Sequence, residues 1–226
     1  MTGVSWPFGE LLSPEQQRFL HSRVLERAYP ADALVLNEQG EGQGALLVTE
    51  GRLRVYMLGS EGHEVTLFYA EKGECLLLNP ESYPFNISLG LAIDAECDSE
   101  ALMLSDDTLR YLLSHSGEMA LWAYRWVCDA GSRMLRSLQR VLYAGIEQRV
   151  AQSLMEQCDW RKSYALIITQ EKLAHQASSS REVVTRTLKA FSRQGFIATR
   201  RGRIDVLDPA GLRAIAQGAG KGRETP

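Results

Sequence analysis

Residues 178–207, SSSREVVTRTLKAFSRQGFIATRRGRIDVL, decide the fold of the C-terminal part of the chain. After three serines the segment has a helical period, and it ends at Gly195, a residue typical of helix C-termini. The residues that follow alternate like two strands and turn at Gly202. Just upstream, YALIIT predicts a short strand and TQEKLAHQA a short helix. Two helices joined by a three-residue turn and followed by a basic hairpin predict a winged helix-turn-helix.

The second helix of this motif has one polar and one apolar face. The polar face carries Arg181, Glu182, Thr185, Arg186 and Lys189. The opposite face carries Val184, Leu188 and Phe191, which we expect to be buried. Arginine can donate two hydrogen bonds to guanine, and glutamate can accept one from the cytosine amino group. The N-terminal end of the helix is therefore expected to read bases in a DNA major groove.

Other residues of the motif are suited to phosphate contacts. Thr169 and Ser180 stand at predicted helix N-termini, where backbone N–H groups favour anions. A second group adds positive charge on the helix and the hairpin: Lys189, Arg200, Arg201 and Arg203. The charge balance agrees, because residues 146–226 carry 14 Lys and Arg against 8 Asp and Glu, whereas residues 1–145 carry 11 against 20. The C-terminal third is the candidate polyanion binder.

A structural alternative exists for the same helix. Ser179 and Glu182 have the spacing of a capping box, and Glu182 with Arg186 has the spacing of an ordinary intrahelical ion pair. On that interpretation the polar face is only a well-capped, solvated surface. The protein would then be a ligand-binding or interaction module that does not bind DNA. The basic hairpin, the wing of the motif, argues against this alternative.

The N-terminal part predicts an antiparallel β-roll. Between residues 35 and 105 short apolar runs are separated by glycines, and LRVYMLGSEGHEVTLFY predicts a hairpin that turns between Gly59 and Gly62. Several strands at this spacing favour a closed roll of the jelly-roll kind. The chain is thus expected to be an α+β protein.

A long helix is predicted between these two parts. Apolar residues recur every seven positions from Leu121, and this stripe consists of Leu121, Cys128, Leu135 and Leu142, with Tyr124 and Leu138 between them. Such a stripe is typical of a helix that pairs with a twin, although a buried core helix would have a similar pattern. We therefore expect a roll over residues 1–117, a dimerisation helix over 118–145 and a DNA-binding domain over 146–226.

The segment SSREVVTRTLKAF resembles the recognition helix of the CRP/FNR transcription regulators, and GALLVTEGRLRVYMLGSEGHEVTLFYAEKGE resembles their cyclic-nucleotide-binding-like roll. The resemblance implies a homodimeric regulator whose recognition helix, residues 180–194, reads a TGTGA-like palindrome through Arg181, Glu182 and Arg186. It also implies RNA polymerase as a partner. The sensor part is most similar to that of the CO-sensing haem regulators of this family.

The family's known effectors fit this chain poorly. Its cyclic AMP binders hold the phosphate through an arginine, but no Lys or Arg occurs between Lys72 and Arg110. Its iron–sulfur members use N-terminal cysteines, whereas the first cysteine here is Cys75. The positions of the haem-binding Cys and His fall on Leu77 and Asn79. Haem held through Cys75 with another partner stays open, whereas cyclic AMP and an iron–sulfur cluster are not expected.

An apolar, cation-free pocket is the remaining expectation for the sensor. Its candidate residues are Cys75, Leu76, Leu77, Leu78, Tyr83 and Phe85 from the roll, with Met134 and Leu135 from the long helix. The pocket is suited to a neutral ligand or haem, and a packed core without ligand is the alternative.

Composition excludes several other classes. A metal-dependent enzyme on a roll needs clustered His and Glu in its strands, and this chain has only 4 His, so we expect neither an enzyme nor a metal site.

Four cysteines lie far apart without a C-x-x-C pair, which favours free thiols, with a redox role open for Cys75 and Cys97. No apolar run is long enough to span a membrane, and the first residues lack the pattern of a signal peptide. We expect a cytoplasmic protein.

Overall fold

The computed structural model describes residues 5–36, 43–59, 64–78 and 91–218. The chain forms two compact units, Met1–Leu58 with Leu67–Leu135, and Gly59–Thr66 with Arg136–Pro226. The boundary between Leu135 and Arg136 therefore falls inside the long helix, Gly117–Tyr143, instead of at either of its ends.

The N-terminal part is built mainly of strands. After a single 3-10 turn at Gly9–Leu11, its elements are α1 (Pro14–His21), β1 (Leu25–Tyr29), β2 (Leu34–Leu36), β3 (Gln43–Glu50), β4 (Arg52–Leu58), β5 (Glu64–Glu71), β6 (Cys75–Leu77), β7 (Leu91–Ala95), β8 (Ser99–Ser105), α2 (Asp106–His115) and α3 (Gly117–Tyr143). The strands form two sheets, in the orders β1-β8-β3-β6 and β2-β7-β4-β5. The pairings of β8 with β1 and β3, and of β7 with β2 and β4, are antiparallel, as predicted for a roll. The predicted turn between Gly59 and Gly62 lies, apart from Gly59, outside the described residues.

The long helix α3 has two different faces. Met119, Trp122, Ala123 and Trp126 recur at helical spacing and pack into a core cluster with β3, β6, β8 and the N-terminal helices. On another side of α3, large apolar side chains are exposed to solvent, including Leu121 at 50%, Leu135 at 64% and Leu142 at 73%. The sequence predicted this stripe, and among the residues that the structure describes these three side chains are at least half exposed.

The C-terminal part has a core of its own. Its elements are α4 (Ile146–Arg161), β9 (Ala165–Ile167), α5 (Gln170–Gln176), α6 (Arg181–Arg193), β10 (Ile197–Arg200), β11 (Arg203–Val206) and α7 (Pro209–Ala216). The strands make one antiparallel sheet in the order β10-β11-β9. The core takes side chains from α4, α5, α6 and the sheet. The order helix, strand, helix, helix and hairpin is that of a winged helix-turn-helix, as the sequence predicted.

Local chemistry explains the ends of α6 and of the wing. Gly195 follows α6 at φ +79°, and Gly202 lies in the turn between β10 and β11 at φ +72°. A residue with a Cβ would be strained at both positions, so glycine ends the helix and allows the hairpin to turn. None of the described helices combines the length and the apolar character that a membrane crossing requires.

Candidate nucleic-acid interface

The helix α6 presents a charged face and buries the opposite one. Arg181, Glu182, Arg186 and Lys189 are exposed. Val184, Leu188 and Phe191 are buried in the core of the C-terminal part. The faces are those that the helical period predicted. Because the apolar face is anchored, rotation of the helix about its axis is restricted and the charged side chains point to solvent.

The N-terminus of α6 is capped by Ser180. Its side chain accepts a hydrogen bond from the backbone N–H of Val183 at 3.4 Å. The N-cap therefore lies one residue after Ser179, so the capping box of Ser179 with Glu182 is not the arrangement found. Glu182 occupies the second helical position and remains exposed. The alternative that explained this carboxylate as a capping residue is wrong.

Thr185 has a role that the sequence did not indicate. Its Oγ1 lies 2.6 Å from Oε1 of Gln170, at the start of α5, and 2.7 Å from the carbonyl oxygen of Arg181. A hydroxyl has one proton, so it donates to one of these oxygens at a time. Thr185 thus connects the two helices of the motif and is half-buried, instead of facing outward with the base-reading candidates.

The two residues that were expected to lie at helix N-termini do so. Thr169 caps α5, where its hydroxyl accepts from the N–H of Lys172 at 3.1 Å, and Ser180 caps α6. Both caps are exposed. The N-termini of both helices of the motif therefore present partial positive charge at the surface.

The wing carries three exposed arginines, as predicted. Arg200 and Arg203 end the paired strands directly opposite each other, and Arg201 lies in the turn between them. Arg203 forms an ion pair with Asp205, with Nε 2.7 Å from Oδ1. Part of its charge is therefore compensated within the chain, which the sequence pattern did not indicate.

The proposed effector residues do not share one face of their strand. Cys75 and Leu77 pack into the core cluster formed with α1, α2 and α3. Because side chains alternate along a strand, Leu76 points to the opposite side of β6. Leu135 is exposed with the α3 stripe, and Met134 is half-buried. Tyr83 and Phe85 lie outside the described residues. The side chains of Cys75, Leu76 and Leu77 therefore do not line one common pocket.

The roll also contains buried cations. Arg52 is only 3% exposed and pairs with Glu71 at 3.2 Å, while its guanidinium lies over the ring of Tyr69. Arg54, 7% exposed, pairs with Asp94 at 2.6 Å. These arginines come from β4, outside the segment between Lys72 and Arg110, so the roll has buried cations although the segment predicted to form the pocket has none. In the ranges that the structure describes, no three His, Cys, Asp or Glu side chains are grouped so that they could hold a metal ion.

The long helix contributes a third arginine to the roll. Arg133 donates from Nη1 to Glu74 at 3.0 Å and from Nη2 to the carbonyl oxygen of Tyr69. Its guanidinium lies 4.4 Å from the centre of the Phe68 ring. Arg133 lies one residue before Met134, and the sequence analysis did not identify it as a residue of the sensor part.

Comparison with known proteins agrees with the fold. Residues 148–215 match the Crp-like helix-turn-helix domain. The chain is 26% identical over 194 residues to the transcriptional regulator SdrP of Thermus thermophilus, covering 81% of this chain and 89% of that protein. It is 25% identical over 215 residues to the cyclic AMP receptor protein of the same organism, covering 92% and 95%.

A solved structure extends the similarity to the whole architecture. A transcriptional regulator of the crp/fnr family from Eubacterium rectale superposes with a TM-score of 0.88 at 25% sequence identity, covering 93% of this chain and 98% of that one. The similarity therefore includes the roll, the long helix and the winged domain. Residues 148–215 thus match a Crp-like helix-turn-helix domain, and the chain as a whole is similar in architecture to a transcriptional regulator of the crp/fnr family.

Proposed function

We propose that the protein binds DNA as a homodimer and reads a TGTGA-like palindrome with α6 of each copy. The observation that carries this proposal is the exposed charged face of α6, with Arg181, Glu182 and Arg186 held outward by a buried apolar face. Arg181 and Glu182 stand in the first turn, the end of a recognition helix that contacts base edges. Arg186 follows one turn later on the same side.

The half-site sequence follows from the chemistry of these side chains and from the family resemblance. Arginine pairs with O6 and N7 of guanine, and glutamate accepts from N4 of cytosine. TGTGA offers guanine on one strand and cytosine on the other, so both kinds of contact are available. Thr169, Ser180, Lys189 and the wing arginines contact phosphates in this arrangement and add affinity that does not depend on sequence.

The exposed stripe of α3 supports a second copy of this chain as its occupant. Leu121, Leu135 and Leu142 stand at intervals of seven residues, and each is at least half exposed. A seven-residue apolar repeat pairs with the same repeat on a twin helix. Tyr124, Cys128 and Leu138 complete the proposed seam. A two-fold symmetric dimer then presents two α6 helices to inverted half-sites one turn of DNA apart.

The effector that we propose for the roll is not cyclic AMP, although one relative is named a cyclic AMP receptor protein. In the described part of the roll, Arg52 and Arg54 are each paired with a carboxylate of this chain. A cyclic phosphate would have to displace a carboxylate to gain a cation there, which costs desolvation. We further propose that the DNA-bound dimer contacts RNA polymerase, as the family resemblance implies.

The test is a fluorescence anisotropy titration at one fixed salt concentration. The probes are a duplex with two inverted TGTGA half-sites, centred about one helical turn apart, and a scrambled duplex of equal composition. We expect the wild-type protein to prefer the palindrome by at least about 10³-fold. Arg186→Ala should lose about 1–3 kcal/mol per half-site, because its bidentate base contact disappears.

Arg193→Ala is the matched control, because it removes the same charge from the exposed C-terminal end of the same helix. It should weaken binding to both duplexes and leave their ratio unchanged. If Arg186→Ala left the ratio of palindrome to scrambled affinity unchanged, Arg186 would not be a base-reading residue. Addition of cyclic AMP should leave the wild-type affinities unchanged, and a rise limited to the palindrome would overturn the statement about the effector.

A further inference from the structure

The turn between α5 and α6 is held by an arginine from another helix. Nη1 of Arg149, in the first turn of α4, donates to the carbonyl oxygen of Ala177 at 3.0 Å and to that of Ser178 at 2.8 Å. These two carbonyls belong to consecutive residues where the chain leaves α5 and turns toward α6. One guanidinium nitrogen therefore bridges the backbone at the point where the direction of α6 is decided.

The backbone of this turn is in a conformation that its sequence disfavours. Ser178 has φ +49°, in the left-handed region that side chains with a Cβ rarely adopt. Serine lacks the freedom of glycine there, so other contacts must maintain the turn. Hydrogen bonds from a cation are stronger than those between neutral groups, and Arg149 supplies two of them to this turn.

Burial of the charged Arg149 side chain is energetically unfavourable, so packing alone does not explain this residue. It is half-buried, and its Nε is buried without a hydrogen-bond partner among the described residues. Burial also lowers the pKa of its guanidinium, because the charged form loses hydration. An apolar side chain of similar length would fill this space without that cost. What the arginine provides, and an apolar residue cannot, is the pair of donors to the turn.

The turn is directly connected to the base-reading residues. Ser180 caps α6, and Arg181 and Glu182 are its first two helical residues. A small rotation at Ser178 therefore displaces both side chains, and base contacts require placement to within about 0.5 Å. Phosphate contacts tolerate such displacement better, because long flexible side chains can adjust.

We propose that Arg149 is a positioning residue for base reading, acting through the left-handed turn at Ser178 without itself touching a base. This inference rests on the proposed function. It predicts that loss of the two donors lowers the preference for the palindrome more than it lowers affinity for DNA in general.

The first experiment compares Arg149→Met with Arg149→Lys in the anisotropy titration described above, using full-length protein below its melting temperature. Methionine fills a similar space without donors, and we expect the ratio of palindrome to scrambled affinity to fall at least about tenfold. Lysine keeps the charge and can donate to both carbonyls, so most of the ratio should remain. A ratio that is unchanged in Arg149→Met would overturn the proposal.

A second substitution distinguishes positioning from direct charge effects. Glycine adopts the left-handed region freely, so Ser178→Gly should restore several-fold of the lost preference in the Arg149→Met background. If Arg149 acted through its charge on DNA, glycine at position 178 would restore nothing, which would also overturn the proposal. Should Arg149→Met not fold, Arg149→Lys against Arg149→Gln makes the same comparison, because the shorter glutamine cannot bridge both carbonyls.

The two levels of inference fail differently. A wild-type protein without preference for the palindrome contradicts the proposed function itself. A wild-type protein with that preference, joined to an Arg149→Met variant with the same preference, contradicts only the role of Arg149.

Discussion

The indole Nε1 of Trp126 donates a hydrogen bond to the carbonyl oxygen of Cys75 at 2.6 Å. It joins the long helix α3 to the short strand β6. The thiol of Cys75 is buried among residues of the same cluster, on the side of the strand that faces the helices. Burial raises the pKa of the Cys75 thiol, because the thiolate would lose its hydration.

Cys75 is therefore expected to be unreactive in the folded protein. Labelling with a thiol reagent at pH 8, followed by mass spectrometry of the peptides, should modify Cys75 at least about tenfold more slowly than in the urea-unfolded chain. Trp126→Phe should accelerate this reaction, since the strand loses its hydrogen bond to α3. Rapid labelling of Cys75 in the native wild-type protein would contradict the burial and reopen a redox role for this thiol.

Cys128 offers a test of the proposed dimer that uses a native residue. It is exposed and stands seven residues from both Leu121 and Leu135. In a parallel pair of α3 helices with this stripe at the seam, two copies of Cys128 face each other. Mild oxidation should then yield a disulfide-linked dimer on a non-reducing gel.

Two variants control this experiment. Cys128→Ser should abolish the crosslink, whereas Cys97→Ser should leave it intact. A crosslink that depends on Cys97, or a protein that sediments as a monomer at micromolar concentration, would contradict the seam.

The wing arginines should act on the salt dependence of binding and leave sequence preference unchanged. Arg200→Ala and Arg201→Ala should each reduce the slope of log K against log salt by about 1 per copy, because each phosphate contact releases a counterion. Arg203→Ala should reduce it less, since Asp205 already compensates this charge. Asp205→Asn tests that reason, because it should steepen the slope. If all four variants had the same slope of log K against log salt as the wild-type protein, the wing would not contact DNA.

Cys158 should make the folded protein sensitive to alkaline pH. It is buried in the core of the C-terminal part, and burial, helped by neighbouring Asp159, raises the pKa of its thiol from 9.0 to about 11. Between these two values the unfolded chain has lost the proton while the folded chain retains it. The free energy of unfolding therefore contains a contribution that is present below pH 9 and is lost as the pH rises toward 11.

Urea unfolding between pH 8 and 10.5 measures this contribution. Cys158→Ala should lower stability at every pH because it leaves a cavity, but its stability should fall less steeply with pH than that of the wild-type protein. Tyrosines and lysines titrate in both proteins, so the difference in slope isolates Cys158. Parallel curves would show that the thiol does not retain its proton.

Most of the DNA-binding unit could be predicted from its sequence because its signals are local. The buried and exposed faces of α6 follow from a period of 3.6 residues, and Gly195 and Gly202 mark positions where the backbone requires glycine. The apolar stripe of α3 could be predicted for the same reason, because it depends on the spacing of residues within one helix. The sensor was less predictable, since all residues of β6 are buried and periodicity cannot tell which face of such a strand meets which core.

The sequence by itself determined the order of the elements, the charged face of α6, the basic wing and the apolar stripe of α3. Each depends on side-chain spacing within one element. Only the tertiary structure decided that Cys75 faces the helices, that Arg52 and Arg54 are buried with carboxylate partners, and that Arg149 reaches a turn 28 residues away in the chain. Such contacts join segments that are distant in sequence. They depend on how the elements pack against each other, and the spacing of residues within one element does not predict that packing.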